Sequence, residues 1–188
     1  MHLNTCAACA VCAASLSLVA CSTAGSVAST PTPTVAGRLF TGQGFDSAVP
    51  EGWINQTGNN AATALVSANG QVLMLVQAAG GDTGIRAHID VTESGQPVPD
   101  DQLSAYLLNA GRSGASNISR PQSFSVDAAK GVFVTYTLSG AGVVLEEKEM
   151  VVNHMGNTFD IVLNAPRSEF GADLSALQTV VHAWVWTS

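Results

Sequence analysis

The stretch VFVTYTLSGAGVVLEEKEMVVNHMGNTFDIVL, residues 132–163, decides the fold of this chain. Two turn signals, Gly140-Ala141-Gly142 and Met155–Asn157, divide it into three apolar-rich segments. The strands predicted between these turns are Val132–Ser139, Val143–His154 and Thr158–Leu163. Because connections this short join neighbouring strands that run in opposite directions, the sequence predicts an antiparallel meander.

Shorter strands are predicted upstream of the meander. Asn69-Gly70 is a hairpin signal between the apolar segments Ala62–Ser67 and Val72–Gln77, since both turn residues tolerate positive φ. Ile85–Thr92 alternates apolar and polar side chains, which is the pattern of a half-buried strand. The side of that strand expected to face solvent carries Arg86, His88, Asp90 and Thr92. Ser123–Val126 is a further predicted strand.

Two helices complete the predicted domain. Pro99-Asp100 opens the first, and we expect Asp100 to cap its free amide groups. The second is expected from about Ser168 to Trp186, where apolar residues recur at spacings of three and four. It would cover one face of the sheet. The predicted fold class is therefore α+β, an antiparallel sheet flanked by helices in an α/β/α sandwich with a closing C-terminal helix.

The N-terminal region predicts export and a lipid anchor. Residues 1–20 form an uncharged apolar leader typical of a signal peptide. Because no Lys or Arg precedes it, either Met1 starts a weak signal or translation starts upstream. Leu18-Val19-Ala20-Cys21 resembles the lipobox of bacterial lipoproteins, which implies that the Cys21 sulfur takes a diacylglyceryl group and its freed amine a fatty acid such as palmitate. Residues 21–37 would then be the lipidated cysteine and a Ser/Thr/Pro-rich linker, and residues 38–188 one folded domain.

Cysteine spacing offers a competing interpretation of the leader. Cys6, Cys9 and Cys12 form a C-x2-C-x2-C run, which is part of an iron–sulfur motif. A fourth ligand at the required spacing is missing, and alanine separates the cysteines. Cleavage before Cys21 would also discard all three. The sequence therefore predicts no metal and no cofactor.

Charge excludes one class of function. The chain has seven basic and fourteen acidic residues, and all of them lie at or after Arg38, so the folded part carries the net charge of −7. Such a surface repels phosphate backbones. The sequence therefore predicts no nucleic-acid binding. It makes no prediction about the oligomeric state.

Candidate catalytic residues are few. His88 and Asp90 lie two apart on one side of a predicted strand and suggest part of a hydrolytic triad, but no G-x-S-x-G elbow supplies a nucleophile. The carboxylates in Glu146–Glu149 would divide between two faces, which favours a solvated edge strand over acid–base chemistry. No H-x-x-x-H or H-E-x-x-H spacing occurs. The sequence therefore predicts no catalytic set.

Aromatic, proline and glycine residues carry a family resemblance. The run FDSAVPEGW at residues 45–53, the central helix, the late meander and the closing Trp184 and Trp186 are similar to the actinobacterial LpqN-type lipoproteins. More distantly the chain resembles the PsbP and Mog1 group. The resemblance covers about residues 38–188. It implies an antiparallel sheet between helices and a noncatalytic accessory or binding role outside the cytoplasm, and it brings no catalytic residues.

Two functions follow as hypotheses. The first is a lipid-anchored module on the extracytoplasmic face of the cell membrane that binds an envelope protein or lipid. The alternative is an envelope hydrolase whose site is assembled by folding around His88 and Asp90.

Overall fold

Gly37 is the first residue that the computed structural model describes. The described residues are 37–64, 66, 70–80, 85–109, 114–140 and 142–187. All of them belong to one compact unit, Thr34–Ser188. The predicted signal peptide, the lipid-bearing Cys21 and the linker up to residue 36 lie outside the described residues.

An eight-stranded antiparallel sheet forms the centre of the domain. Its strands are β3 (Trp53–Asn55), β4 (Gly70–Ala78), β5 (His88–Ser94), β6 (Ala115–Ser116), β7 (Gln122–Val126), β8 (Ala129–Gly140), β9 (Val143–His154) and β10 (Asn157–Pro166). They lie in the order β3-β4-β5-β10-β9-β8-β6, and β7 also pairs with β8. The predicted meander is confirmed as β8-β9-β10, with β9 at its predicted bounds.

A second, three-stranded sheet packs beside it. Its strands are β1 (Gly37–Thr41), β2 (Phe45–Pro50) and β11 (Val185–Trp186), with β2 in the middle. The closing helix, α3, spans Phe170–His182. The prediction that this helix continues to Trp186 is wrong, because the chain leaves the helix at Ala183 and pairs with β2.

Two short helices precede the meander. α1 (Asn60–Thr63) occupies part of the segment predicted as a strand before Asn69-Gly70, and β4 takes β3 as its hairpin partner instead. Asn69 itself is outside the described residues. The predicted central helix is confirmed as one 3-10 turn followed by α2 (Leu103–Asn109). Asp100 does not cap it, since its carboxylate accepts a hydrogen bond from Asn153 Nδ2 at 2.6 Å.

The main core lies between one face of the large sheet, the small sheet and α3. Alternate residues of β4, β5, β9 and β10 point into it, as period-two alternation requires. The most deeply buried of these side chains are Met74, Val76, Ile89, Val91, Val152, Ile161 and Leu163. Among the described helices, none combines the length and apolar character needed to cross a bilayer.

Aromatic rings extend this core towards the surface. Trp184 stacks on Phe45 with ring centroids 3.9 Å apart and planes inclined by 6°. Trp186 meets Trp184 edge-on at 5.0 Å and in turn stacks on His154 at 4.1 Å. Because both tryptophans follow α3, these contacts hold β11 against β2 and end the helix.

A strained turn joins β7 to β8. Asp127 and Ala128, the two residues between the strands, have φ of 40° and 65°. This is the left-handed pair required by a type I′ hairpin, which glycine adopts without steric cost and alanine does not. The hairpin therefore forms with a local penalty at Ala128.

We expect Ala128→Gly to stabilise the domain. Relief of left-handed strain is worth about 1–2 kcal/mol, and the greater freedom of glycine in the unfolded chain removes about 0.4–1 kcal/mol. Urea unfolding should therefore show a gain of about 0–1.6 kcal/mol, the difference of those two terms. Ala61→Gly in α1 is the opposite-sign control, with a loss of about 0.5–1 kcal/mol. A destabilising Ala128→Gly would contradict the type I′ geometry.

Candidate functional site: the polar face of the central sheet

The face of the large sheet turned away from the core carries the candidate site. Four residues from neighbouring strands lie in one row across the sheet. In order they are His88 of β5, Asn164 of β10, Glu147 of β9 and Tyr136 of β8, each opposite the next. The neighbouring rows contribute Asp90 and Glu149, then Thr92 and Asp160. We call this set of eight residues the polar face. It places four carboxyl groups on three adjacent strands.

Tyrosine and asparagine side chains bind these carboxyl groups. The Tyr136 hydroxyl lies 2.5 Å from Glu147 Oε2 and 3.0 Å from Glu149 Oε2, within hydrogen-bond reach of both. Asn164 donates from Nδ2 to the other oxygen of Glu147. Glu147 is therefore held on both sides by residues of neighbouring strands.

Helix α2 packs over the β8–β9 end of the polar face. Its Leu103 and Leu107 contact apolar residues on the same side of those two strands, including Val134 and Val151. From the same helix, the Tyr106 hydroxyl donates to Asp160 Oδ2 at 2.9 Å. Asp90, Asp160 and Glu149 are all buried.

Burial and like charge shift the protonation of this face. Burial raises the pKa of Asp90 well above its usual range, and the charges of Glu147, Asp160 and Glu149 raise it further. Burial also raises the pKa of the Tyr106 phenol, together with the charge of Asp160. The arrangement thus favours the protonated form of Asp90, and it favours a Tyr106 hydroxyl that keeps its proton and donates it to Asp160.

His88 lies at one end of the polar face. Its Nε2 is 3.7 Å from Asp90 Oδ1, so folding does bring the two predicted residues together. Burial lowers the pKa of His88 despite a hydrogen bond with the Arg86 backbone. The ring lines a cavity of about 60 Å³ together with Gln56 and Leu75. Within the described residues no hydrogen bond joins the imidazole to a hydroxyl, so the geometry supplies a His–Asp pair without a nucleophile.

Two interpretations of these residues from sequence are wrong. Asp90 and Thr92 were expected to face solvent, yet they are only 5% and 9% exposed. The strand that carries Glu146–Glu149 is not an edge strand, since β8 and β10 flank it. Glu147 and Glu149 therefore share a covered face, while Glu146 lies on the other face and approaches Arg167 at 4.0 Å.

Sequence reasoning did not find Tyr106, Tyr136, Asp160 and Asn164. The roles of Tyr136, Asp160 and Asn164 depend on which residues stand opposite one another across the strands, and that of Tyr106 on where α2 packs. No local spacing contains that information. In the described part of the chain, no group of three or more His, Cys, Asp or Glu residues is arranged to hold a metal ion.

Known structures with this architecture were found by comparison of folds. The crystal structure of LpqN, involved in cell envelope biogenesis of Mycobacterium tuberculosis, aligns with a TM-score of 0.55 and 14% identity over 81% of this chain and 86% of that one. The domain has an LpqN-like fold. The solution structure of the cyanobacterial PsbP protein CyanoP from Synechocystis sp. PCC 6803 aligns with a TM-score of 0.53 and 14% identity, over 87% of this chain and 100% of that one.

These similarities confirm the predicted LpqN/PsbP-like α+β fold. No family model and no curated protein sequence matches the chain. At 14% identity the LpqN-like fold establishes architecture alone, so the actinobacterial family membership stays a prediction.

Proposed function

We propose that this chain is a lipid-anchored, extracytoplasmic binding module of the cell envelope that performs no chemistry of its own. Its fold resembles that of LpqN, a protein involved in cell envelope biogenesis. The lipobox-like run that ends at Cys21 supports an anchor, and the Ser/Thr/Pro-rich linker that follows supports a tether. Its partner would be an envelope protein or lipid.

The observation that carries the noncatalytic role is the bonding of the polar face. Glu147 is held by Tyr136 and Asn164, and Asp160 by Tyr106, so these carboxyl groups are used by the fold itself. A general base must instead have its lone pair directed at a substrate proton. Such a network fixes side-chain positions and supports a rigid scaffold for binding.

We expect Cys21→Ser to release the protein from the membrane. The substitution removes the sulfur that would carry the diacylglyceryl group, and two or more acyl chains are what give a stable anchor. In fractionated cells the parent should be in the membrane fraction, with an intact mass that equals residues 21–188 plus a diacylglyceryl and an acyl group. Cys12→Ser, which changes a leader cysteine, is the matched control and should behave as the parent. A parent that retains Met1 and carries no acyl mass would contradict the anchor.

Native mass spectrometry of the parent extracted in mild detergent tests binding. The expected spectrum contains a noncovalent complex with an envelope lipid or protein. The bare chain as the only species, from several detergents, would contradict the binding role and leave the anchor unaffected.

A hydrolase is the second candidate, and the contact between His88 and Asp90 is the observation that favours it. The lowered pKa of His88 keeps the ring neutral and able to accept a proton. Esterase activity of the parent that is lost in His88→Gln would establish this candidate over the first. If the parent and His88→Gln both hydrolysed the ester only at the background rate, the hydrolase candidate would be excluded.

A further inference from the structure

We infer that the outer edge of β7 is the contact surface for a second copy of this chain, which would pair with it in antiparallel orientation about a twofold axis at Phe124. The dimer would join two eight-stranded sheets into one continuous sheet. The inference goes beyond the proposed binding role and does not depend on the lipid anchor. It depends on the outward backbone groups of β7, on its symmetric sequence and on the opposite charges at its two ends.

The backbone of β7 has hydrogen-bonding groups directed away from β8. Val126 and Ala129 close the two-residue hairpin and exchange both backbone hydrogen bonds, and bonded pairs then alternate along the ladder. Ser123 and Ser125 fall between the bonded pairs, so their N–H and C=O groups point outward. Among the described residues, no strand occupies that outer side of β7.

The side chains of β7 leave this edge open. Exposed edge strands are usually blocked by charge, proline or a bulge within the strand, whereas β7 reads QSFSV and pairs with β8 in continuous register. Ser123 and Ser125 are small and exposed. Phe124 is turned inward, because its ring occupies the space that a Cβ on Gly131 would need and meets Phe133 edge-on at 6.4 Å. A second strand can therefore approach closely.

The sequence of β7 is symmetric about Phe124. In an antiparallel pair centred there, Ser123 of each copy is opposite Ser125 of the other. Both serines have outward backbone groups, so each such pair can exchange two-way hydrogen bonds, and serine hydroxyls across a ladder also pair favourably. The next compatible registers would bring Pro121, which lacks an N–H, or Asp127, which lies in the hairpin turn, into a bonded pair. The register centred on Phe124 is therefore preferred.

Charge at the ends of the strand also favours antiparallel self-pairing. Arg120 lies two residues before β7 and Asp127 directly after it, and both are exposed. Antiparallel pairing brings the basic end of each copy beside the acidic end of the other, whereas parallel pairing would bring like charges together. Beside the middle of β7, Lys130 and Asp100 line one groove with opposite charges. The edge therefore has no excess of one sign that would repel a second copy.

The contact is small, which determines how it must be measured. β7 is five residues long. Pairing along such a strand buries less than the ~1,200–2,000 Å² of a stable interface, so we expect a weak dimer that forms at high protein concentration.

Amide hydrogen exchange of the full chain in detergent, followed by NMR at increasing protein concentration, tests the contact. We expect the Ser123 and Ser125 amides to exchange more slowly as concentration rises, because pairing would give them acceptors. The Phe124 amide is directed at β8 and is the internal control, since pairing adds no acceptor to it. Exchange at Ser123 and Ser125 that is independent of concentration up to the millimolar range would overturn the inference.

Sedimentation equilibrium of charge variants tests the antiparallel orientation. Arg120→Glu makes both ends of the strand acidic and should weaken self-association about tenfold. Asp127→Lys makes both ends basic and should weaken it to a similar extent. An equimolar mixture of these two variants should associate as strongly as the parent, because each then complements the other. Arg38→Glu changes an exposed cation on β1 and should leave association unchanged.

A backbone variant keeps the test valid if Asp127→Lys fails to fold, since Asp127 also accepts a hydrogen bond from the Trp186 amide at 2.8 Å. Ser125→Pro removes an outward N–H without breaking the β7–β8 ladder and should weaken association about tenfold. A parent that stays monomeric, or equal association of parent, Arg120→Glu and Ser125→Pro, would overturn the inference. Binding of an envelope partner by that monomer would still support the proposed function.

Discussion

Of all the substitutions proposed for this domain, Trp184→Ala is expected to lower the free energy of unfolding the most. Trp184 is 3% exposed and lies against Phe45 on one side and Trp186 on the other. Loss of a buried tryptophan costs about 3–5 kcal/mol. For a domain of this size each kcal/mol lowers the melting temperature by roughly 2–4 °C, so we expect a decrease of about 6–20 °C. Thermal unfolding followed by near-ultraviolet circular dichroism measures it.

Trp184→Phe separates packing from polarity at this position. The indole Nε1 of Trp184 is buried and has no hydrogen-bond partner among the described residues. Phenylalanine keeps an aromatic ring on Phe45 and removes that donor, whose burial without a partner costs about 1–3 kcal/mol. The loss of stability in Trp184→Phe should therefore be well below that in Trp184→Ala. Leu39→Ala, at a side chain that is 78% exposed, should change little. Equal losses for Phe and Ala would show that the ring stack does not support the core.

The same tryptophan explains where prediction of the fold from sequence succeeds and fails. Local turn chemistry defines β9 completely, because Gly142 and the Met155-Gly156 pair adopt positive φ at its two ends. The end of α3 is not local. Its apolar spacing continues in phase through Trp184, but the stack on Phe45, far away in sequence, removes that residue from the helix.

A local signal was also overlooked before β4. The Asn59 side chain accepts hydrogen bonds from the Ala61 and Ala62 amides and caps α1. Asparagine ahead of an alanine pair indicates the start of a helix. The prediction followed the apolar run and the Asn-Gly turn instead, and therefore placed a strand here. Attention to capping would have recovered α1 from sequence alone.

The polar face was predictable only in part. Spacing of two along a strand was enough to place His88 and Asp90 on one side of β5. Sequence could not show that Asp90 is buried or that Glu147 faces Asn164, because both depend on how distant elements pair and pack. Polar residues at alternate positions favour a solvated face, and here much of that face is buried.

Burial of Asp90 gives the second large effect, a pH-dependent gain of stability in Asp90→Asn. Burial and the charges of Glu147, Asp160 and Glu149 raise the pKa of Asp90 in the folded protein, whereas in the unfolded chain an aspartate titrates near ~3.9. Between those two pKa values the folded state binds more protons than the unfolded state. The contribution of Asp90 to stability is therefore greatest below its unfolded pKa and is lost as pH rises through its folded pKa.

Asparagine has nearly the shape of protonated aspartate and does not ionise. Asp90→Asn should therefore not lose this stability as pH rises. Each unit of pKa difference is worth about 1.4 kcal/mol, which converts to roughly 3–6 °C of melting temperature per unit. We expect the variant to melt above the parent at pH 7 and the difference to vanish near pH ~4. Asp101→Asn, at an exposed residue, removes the same formal charge away from the polar face. The opposite result is that Asp90→Asn loses stability relative to the parent between pH 4 and pH 7. That result would show that Asp90 is ionised in the folded protein. The ionised form of Asp90 would then be the one that the fold stabilises.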